Sequence, residues 1–267
     1  MRAQAATIPR RSPAGPAPTH AMRSPASPIP APHPGLVLPP GFSHRPTARG
    51  AHAEACRLAA SGEAEAATLL LGARPELLDL AVVLAPDEPL RTARRAFFAG
   101  MAALADAVGI FGPPEIPVRI VWPGTLTFNG ARLGGGQLGW PDDCAEDAVP
   151  DWLVFSATLI ASKAAAGDPG LTPDSTALEE EGFPPDLHGP FAESFARHLT
   201  KTFEVWREDG FGRVAARYGA RLSGADAALD GAAARLTYPD GRTEPVALAA
   251  ALATAAWRDP ETGDVRL

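Results

Sequence analysis

Three consecutive glycines, Gly134, Gly135 and Gly136, interrupt the strand-like run ARLGGGQLGW. Glycine weakens a strand, so three together mark a place where a ligand or a second backbone must come close. A bulge or a tight crossing of the sheet explains the same spacing. Arg132 stands two residues before them, and a guanidinium forks onto a carboxylate or a phosphate. As a strand-edge residue, Arg132 is equally a solvated charge. Such a pair, a fixed cation beside approachable main-chain N–H groups, is suited to binding an anion. Trp122-Pro123 precedes it, and Trp122 reads either as a ligand wall or as a core aromatic. Asn129 shapes the turn at Asn129-Gly130. Arg74 lies between two apolar runs, either as a turn residue or as a second basic contact.

The elements that must position these residues follow from periodicity. Residues 51–61 look helical, and Thr68–Gly72 and Leu77–Leu84 read as adjacent strands. Asp87-Glu88-Pro89 caps a helix whose apolar positions are Leu90, Ala93, Phe97, Met101, Leu104 and Val108, with Gly109 stopping it. From Pro117 the pattern turns to strand, and Asn129-Gly130 predicts an antiparallel pairing of Thr125–Phe128 with Ala131–Leu138. Leu187, Phe191, Phe195, Leu199, Phe203 and Trp206 share one face of a helix that ends at Gly210. A shorter helix is expected over Arg213–Leu222. Beyond it, AARLTYPDGRT and EPVALA predict a small β module, too small to fold well alone. The expected architecture is α/β (α+β): a mixed, mostly antiparallel sheet flanked by helices. Its divisions are a disordered Pro/Ala/Arg-rich tail over 1–35, a main domain over 36–222 and the β module over 223–267.

The chain has 267 residues, 46% of them apolar, enough for one medium domain and an appendage. The first 53 residues hold six arginines and no acid, which leaves −13 on the remainder and −7 overall. That balance excludes a generic nucleic-acid binder, and no apolar run is long enough to predict a membrane span. The first 35 residues cannot bury enough surface to order themselves. Their acid-free, Arg-rich composition fits a transit peptide, or an upstream reading of a chain that starts at Met22. Cys56 and Cys144 form neither a metal spacing nor a disulfide framework, so a reduced, cytoplasmic protein is the simplest expectation.

The stretch 118–140 resembles the central motif of biotin–protein ligases. Trp122-Pro123 matches the family's Trp-Pro, Leu126-Thr127-Phe128 its apolar strand, Asn129-Gly130 its turn, and Arg132-Leu133-Gly134-Gly135 its Lys-apolar-small-Gly. Thr176-Ala177-Leu178-Glu179-Glu180-Glu181-Gly182 is similar to its Thr-Ser-Leu-x-Glu segment, and the β module falls where many members carry an SH3-like domain. Val121, Gly124-Thr125 and Arg132 stand where the family has Lys, Asn-Asp and Lys. Its basic loop is reduced to Gly72-Ala73-Arg74-Pro75-Glu76. The resemblance implies an ATP-dependent ligase, using Mg, that joins biotin, lipoate or a related acid to a lysine of a carrier domain through an acyl-adenylate. Arg132 would be the catalytic cation. Arg74, Trp122, Pro123, Thr125, Asn129, Gly134, Gly135 and Gly136 would contact acid or nucleotide. No metal ligands are assigned. A non-catalytic binder of such an acid or carrier is the alternative, as is an ATP-independent acyltransferase, for which Cys144 and Lys163 are the nearby nucleophiles.

Other motifs carry less. LGGGQLG lacks the strand-to-helix setting of a dinucleotide fingerprint. Asp142, Asp143, Glu146, Asp147 and Asp151 read as a solvated acidic loop, and Glu179–Glu181 as a helix-start surface. His188 and His198 lack zinc-like partners.

Overall fold

The structure, a computed structural model, describes residues 35–167, 172–230 and 232–267. The expected tail over 1–35 therefore lies almost wholly outside the described residues.

Eleven strands and six α-helices are formed among them. In chain order these are β1 (Ser43–Thr47), α1 (Ala51–Ala60), β2 (Thr68–Gly72), β3 (Leu77–Leu84), α2 (Leu90–Ala93) and α3 (Ala96–Phe111). Then follow β4 (Arg119–Val121), β5 (Thr125–Phe128), β6 (Ala131–Gly139), β7 (Leu153–Ile160), α4 (His188–Asp209) and α5 (Phe211–Gly219). The chain closes with β8 (Leu222–Ser223), β9 (Asp226–Asp230), β10 (Ala233–Thr237), β11 (Thr243–Ala247) and α6 (Leu248–Ala253).

The main sheet has eight strands in the order β1-β2-β3-β7-β6-β5-β4-β8. Only the edge pairs β1–β2 and β4–β8 are parallel. The hairpin expected at Asn129-Gly130 is present, with both residues at positive φ (52° and 80°), as a two-residue turn of matching twist requires. Strands β9 to β11 make a separate antiparallel sheet of three.

Side-chain alternation divides the two faces of the main sheet. Leu78, Leu80 and Val82 of β3 and Leu153, Phe155, Ala157 and Leu159 of β7 enter the main core with α3 and α4. Residues Ala81, Val83 and Val154 point the other way, onto Ala51, Ala55 and Leu58 of α1. The main core also takes in Ala234, Leu248 and Leu252 from the last third of the chain. Helix α3 lies between the sheet and α4, so most of its circumference is buried. Asp106 of α3 pairs with Arg217 and Arg221, which ties the end of the α5 region to this layer.

Two helix boundaries differ from the sequence reading. The helix over 90–108 is broken after Ala93, and Gly109 does not stop it; α3 runs on to Phe111. The break lets Arg94 reach Glu146 (2.6 Å) and Arg95 reach Glu88, contacts one continuous helix would aim elsewhere. Gly109 has open space around it, so nothing local forces an end there. Similarly, the helix expected over Arg213–Leu222 spans Phe211–Gly219, and Leu222 instead pairs with Ile120. Backbone pairing with a strand edge outcompeted the helical period there.

Two glycines of α3 should respond oppositely to substitution. A Cβ at Gly100 would stand 2.2 Å from the Phe155 ring, so Gly100→Ala should destabilise by about 1–3 kcal/mol through overpacking. Gly109→Ala has free space and should stabilise by up to about 1 kcal/mol through helix propensity. Urea midpoints of the two variants measure both effects.

Candidate functional site

Strand β6 is the centre of the site because three different neighbours use its missing side chains. Gly134 has φ +146°, and a Cβ there would meet the Thr158 carbonyl oxygen at 2.1 Å. At Gly136 it would strike the Met101 sulfur at 2.4 Å. At Gly135 it would strike both the Gly124 carbonyl oxygen and the Trp257 indole Cδ1, each at 2.3 Å. Gly134 thus serves the sheet, Gly136 the core, and Gly135 the face opposite the core. Close approach is met at all three glycines by this chain's own atoms: backbone at Gly134, core side chains at Gly136, and backbone together with Trp257 at Gly135.

The segment that lies on this face comprises residues 255–267. Trp257 is 1% exposed, and its Nε1 donates to the Gly136 carbonyl at 3.1 Å. Around Phe97, Gly136, Leu252 and Trp257 only about 10 Å³ of space is left. Val265 packs with Trp257 on Ile160, Leu77 and Ala177. An isolated bridge between Arg258 and Val265 closes the segment into a short hairpin.

The two arginines singled out from sequence meet the same segment. Arg132 Nε donates to the Arg266 carbonyl at 3.1 Å, and Nη2 to the Leu267 oxygen at 3.3 Å. Burial pushes the Arg132 guanidinium's pKa down, Asp174 opposes that, and Arg266 adds to it. Arg74 in the β2–β3 turn pairs with Asp264 at 3.2 Å, with both side chains largely exposed. The main chain of Arg132 is held by the 174–176 segment, through Arg132 N–H to Asp174 and Thr176 N–H to Arg132. Lys163 fixes that segment, donating to the Ser175 carbonyl at 2.7 Å and pairing with Glu180 at 3.1 Å.

The remaining sequence candidates lie elsewhere on the strand system. Trp122, which precedes a cis bond to Pro123, stacks on Phe98 at 5.7 Å and meets Tyr218 edge-on, on the core side. The Pro123 carbonyl accepts from the Tyr218 hydroxyl at 2.7 Å. Thr125 is buried in register with Gly135. Asn129, exposed in its turn, donates to Glu181 at 3.4 Å. Cys144 bonds only within its own loop, to the Ala145 and Ala148 carbonyls. In the acidic loop, Glu146 pairs with Arg94 and Asp147 with Arg91, so these two carboxylates pin the loop to α2.

Sequence reasoning missed a polar group on the same face. A cavity of about 340 Å³ is lined by His52, Asp79, Thr158, Arg258, Arg74 and Asp264, among others. Asp79, 3% exposed, accepts from the first N–H of α1 (Ala51, 2.8 Å) and from Thr158 Oγ1 (3.0 Å). It thereby satisfies one helix N-terminal donor that would otherwise be orphaned. Arg258 Nη2 reaches Thr158 Oγ1 at 3.3 Å. Its Nε is buried without a hydrogen-bond partner. His52 shares a hydrogen bond with Ser156 Oγ (2.8 Å) and stands beside Cys56 (3.7 Å). The one available sequence signal was Asp79, a charge inside an otherwise apolar run. A larger cavity, about 640 Å³, opens on the other side of Arg74 between the β2–β3 turn and Leu178–His188. Its apolar walls include Leu71, Leu78, Phe183 and Leu187.

An eight-stranded, mostly antiparallel sheet flanked by helices, with a small C-terminal sheet, is the fold this chain shares with biotin protein ligases. The chain belongs to the biotin/lipoate A/B protein ligase family, whose model matches residues 38–220. Among solved structures it is similar to a biotin protein ligase-like protein of unknown function from Silicibacter sp. TM1040. That pair is 27% identical with a TM-score of 0.69, covering 82% of this chain and 99% of the other. It is also similar in fold to apo biotin protein ligase from Aquifex aeolicus, at 13% identity, TM-score 0.57 and 76% and 93% coverage. The same Aquifex enzyme in complex with biotin and ATP gives 12% identity, TM-score 0.55 and 77% and 95% coverage. A search of curated protein sequences finds no match. Among the described residues, no helix is long and apolar enough to cross a membrane.

Burial and then the Arg258 charge lower the His52 pKa from 6.5 to about 4. The unfolded chain therefore takes up this proton first as pH falls. The contribution is complete above about pH 6.5 and is lost on descent to about pH 4, on the order of 2–3 kcal/mol in total. Urea unfolding at pH 7.5 and 4.5 should show a smaller pH-dependent loss of stability for His52→Gln than for the native chain.

Proposed function

We propose that the protein is an ATP-dependent ligase that activates biotin, lipoate or a related acid and transfers it to a lysine of a carrier domain. The observation that carries this reading is the position of Arg132. It stands at the start of the glycine strand, on the face away from the core, with its fork directed at two main-chain oxygens of the 255–267 segment. A group so placed neutralises a carboxylate and the phosphate that the carboxylate attacks. An acid oxygen attacks the α-phosphorus of ATP, usually with Mg bound to the phosphates, and pyrophosphate leaves. The carrier amine then attacks the acyl carbon, AMP leaves, and the amine's proton passes to solvent.

The acid's dimensions follow from the strand. Gly136 and Arg132 are four residues apart, about 13 Å along a strand, and an arginine side chain spans part of that gap. A head group at Gly135–Gly136 and a carboxylate roughly a nanometre away satisfy both ends. The Trp257 indole, a flat apolar body donating its N–H to the Gly136 carbonyl, supports biotin, whose ring carries an N–H, over lipoate, whose dithiolane has none. Arg74 is the remaining basic group of the shortened β2–β3 turn and is assigned to the nucleotide. Gly134, Gly135 and Gly136 bring main chain to the ligand, and Thr125 lies beside them. Trp122, Pro123 and Asn129 act by shaping the corner and turn that hold β6. Cytoplasmic residence fits this chemistry, which uses ATP and protein carriers.

A second reading, a binder of the acid or of its carrier without catalysis, is favoured by one observation. The turn Ala73–Glu76 offers a single basic residue, already paired with Asp264.

With ATP, Mg and each acid in turn, the purified protein should release pyrophosphate only when an acid is present. Arg132→Ala should lower that rate by about 10²–10³, the usual cost of one fixed transition-state donor. Arg132→Lys should retain part of it, since charge survives without the fork. Release with none of the acids from well-folded protein sinks the ligase reading. Thermal stabilisation by an acid and none by ATP then leaves the binder.

A further inference from the structure

Arg132, Gly135 and Gly136, assigned to the acid, and Arg74, assigned to the nucleotide, are all engaged by one stretch of this chain. Trp257 covers Gly135 and bonds to Gly136, and the main chain at Arg266 and Leu267 takes the Arg132 fork. Asp264 takes Arg74. The stretch thus supplies a flat N–H-bearing ring at one end of the cleft and oxygen acceptors at the other.

We propose that residues 255–267 are an intramolecular ligand of the glycine-strand cleft, and that the carboxylic acid binds in competition with them. This rests on the ligase-type reading of the cleft given above. The contacts suit a removable occupant. Of the large side chains in the segment, Trp257 alone is fully buried, and Val265 lies at 9% exposure. The Arg74–Asp264 pair is mostly in water, where such pairs contribute little. Arg258 is held in the docked state with Nε buried and unpartnered, a cost that disappears when the segment leaves. The segment is joined to α6 by only a few residues, so its effective concentration at the cleft is high. An acid then meets a cleft that is open for only part of the time, and its apparent affinity falls by that fraction. Whatever pulls the segment away, a docking carrier domain above all, would raise it.

The test uses the full chain. A double variant, Trp257→Ser with Val265→Asp, removes both apolar anchors and leaves Arg132, Arg74 and the glycines untouched. Calorimetric titration with biotin and with lipoate should give at least ten-fold tighter binding to the variant for whichever acid binds. In the native chain, that acid should speed hydrogen exchange at the Asp259 and Arg266 amides, which bond to Asp264 and Trp257 within the segment. A synthetic peptide of residues 255–267, added to the variant, should bind it and weaken acid binding again. Equal acid affinity in the two proteins overturns the proposal, as does unchanged or slowed exchange in the segment when acid is bound. If the variant lacks a cooperative melt, exchange in the native chain decides alone. If neither acid binds either protein but the peptide binds the variant, the ligase reading fails and the segment stands as the cleft's ligand. If acid and peptide both fail to bind, the proposal falls with it.

Discussion

The absence of three side chains along β6 is the constraint on which the remainder of the molecule depends. A strand in mid-sheet ordinarily presents a Cβ to each face in turn and keeps its neighbours about a side chain away. At Gly134 the backbone turns to a φ that side chains rarely adopt, and the Thr158 carbonyl moves into the vacated volume. At Gly136 the core gains the same space for Met101 and Phe155. At Gly135 the outer face gains it, and there the room is deep enough for an indole ring. Glycine weakens a strand on its own. Here pairing with β5 and β7 on both sides holds it, aided by Gly136 N–H to the Gly124 carbonyl at 2.9 Å.

That strand separates two environments. On one side, α3, α4 and α5 build an aromatic core in which Phe97, Phe98, Phe155 and Phe195 pack ring against ring. Burial and dispersion make this side rigid. On the other, β3 and β7 offer Asp79, Ser156 and Thr158, polar side chains that satisfy the start of α1, His52 and Arg258. These pairings fix the start of α1 in position, and Asp79, Thr158, His52 and Arg258 line the cavity of about 340 Å³ beside it. The rigid side and the polar side meet at the glycines. Main chain there is buried and held on both sides by β5 and β7, with Trp257 covering it.

Arg132 is held at both its main chain and its side chain. A lysine ammonium is a point charge on a flexible stem; the Arg132 guanidinium is a planar fork with less freedom per hydrogen bond. Its main chain is clamped by Asp174 and Thr176, and Lys163 in turn clamps that loop. One of the two lysines in the chain is thus buried, held by a carbonyl and a carboxylate oxygen.

Periodicity and turn chemistry by themselves determined the strands β2, β3, β5 and β6, the Asn129-Gly130 hairpin and the long helix ending at Gly210. These are local choices, set by a residue's own conformational preference and by which face is apolar. The family resemblance likewise came from a local stretch, residues 118–140. The break after Ala93 and the pairing of Leu222 with Ile120 were not legible, because each depends on a partner far along the chain. The role of the glycines was half legible: their number announced a close approach, but which neighbour approaches each one depends on the register of β7 and the path of α3. Trp257 and Arg258 gave no signal, since an aromatic-basic pair in a loop-like tail has no period to read. Only tertiary structure decided that this pair returns more than a hundred residues along the chain to cover Gly135. Burial of a large apolar ring is non-directional in sequence and rewards whichever surface has room for it.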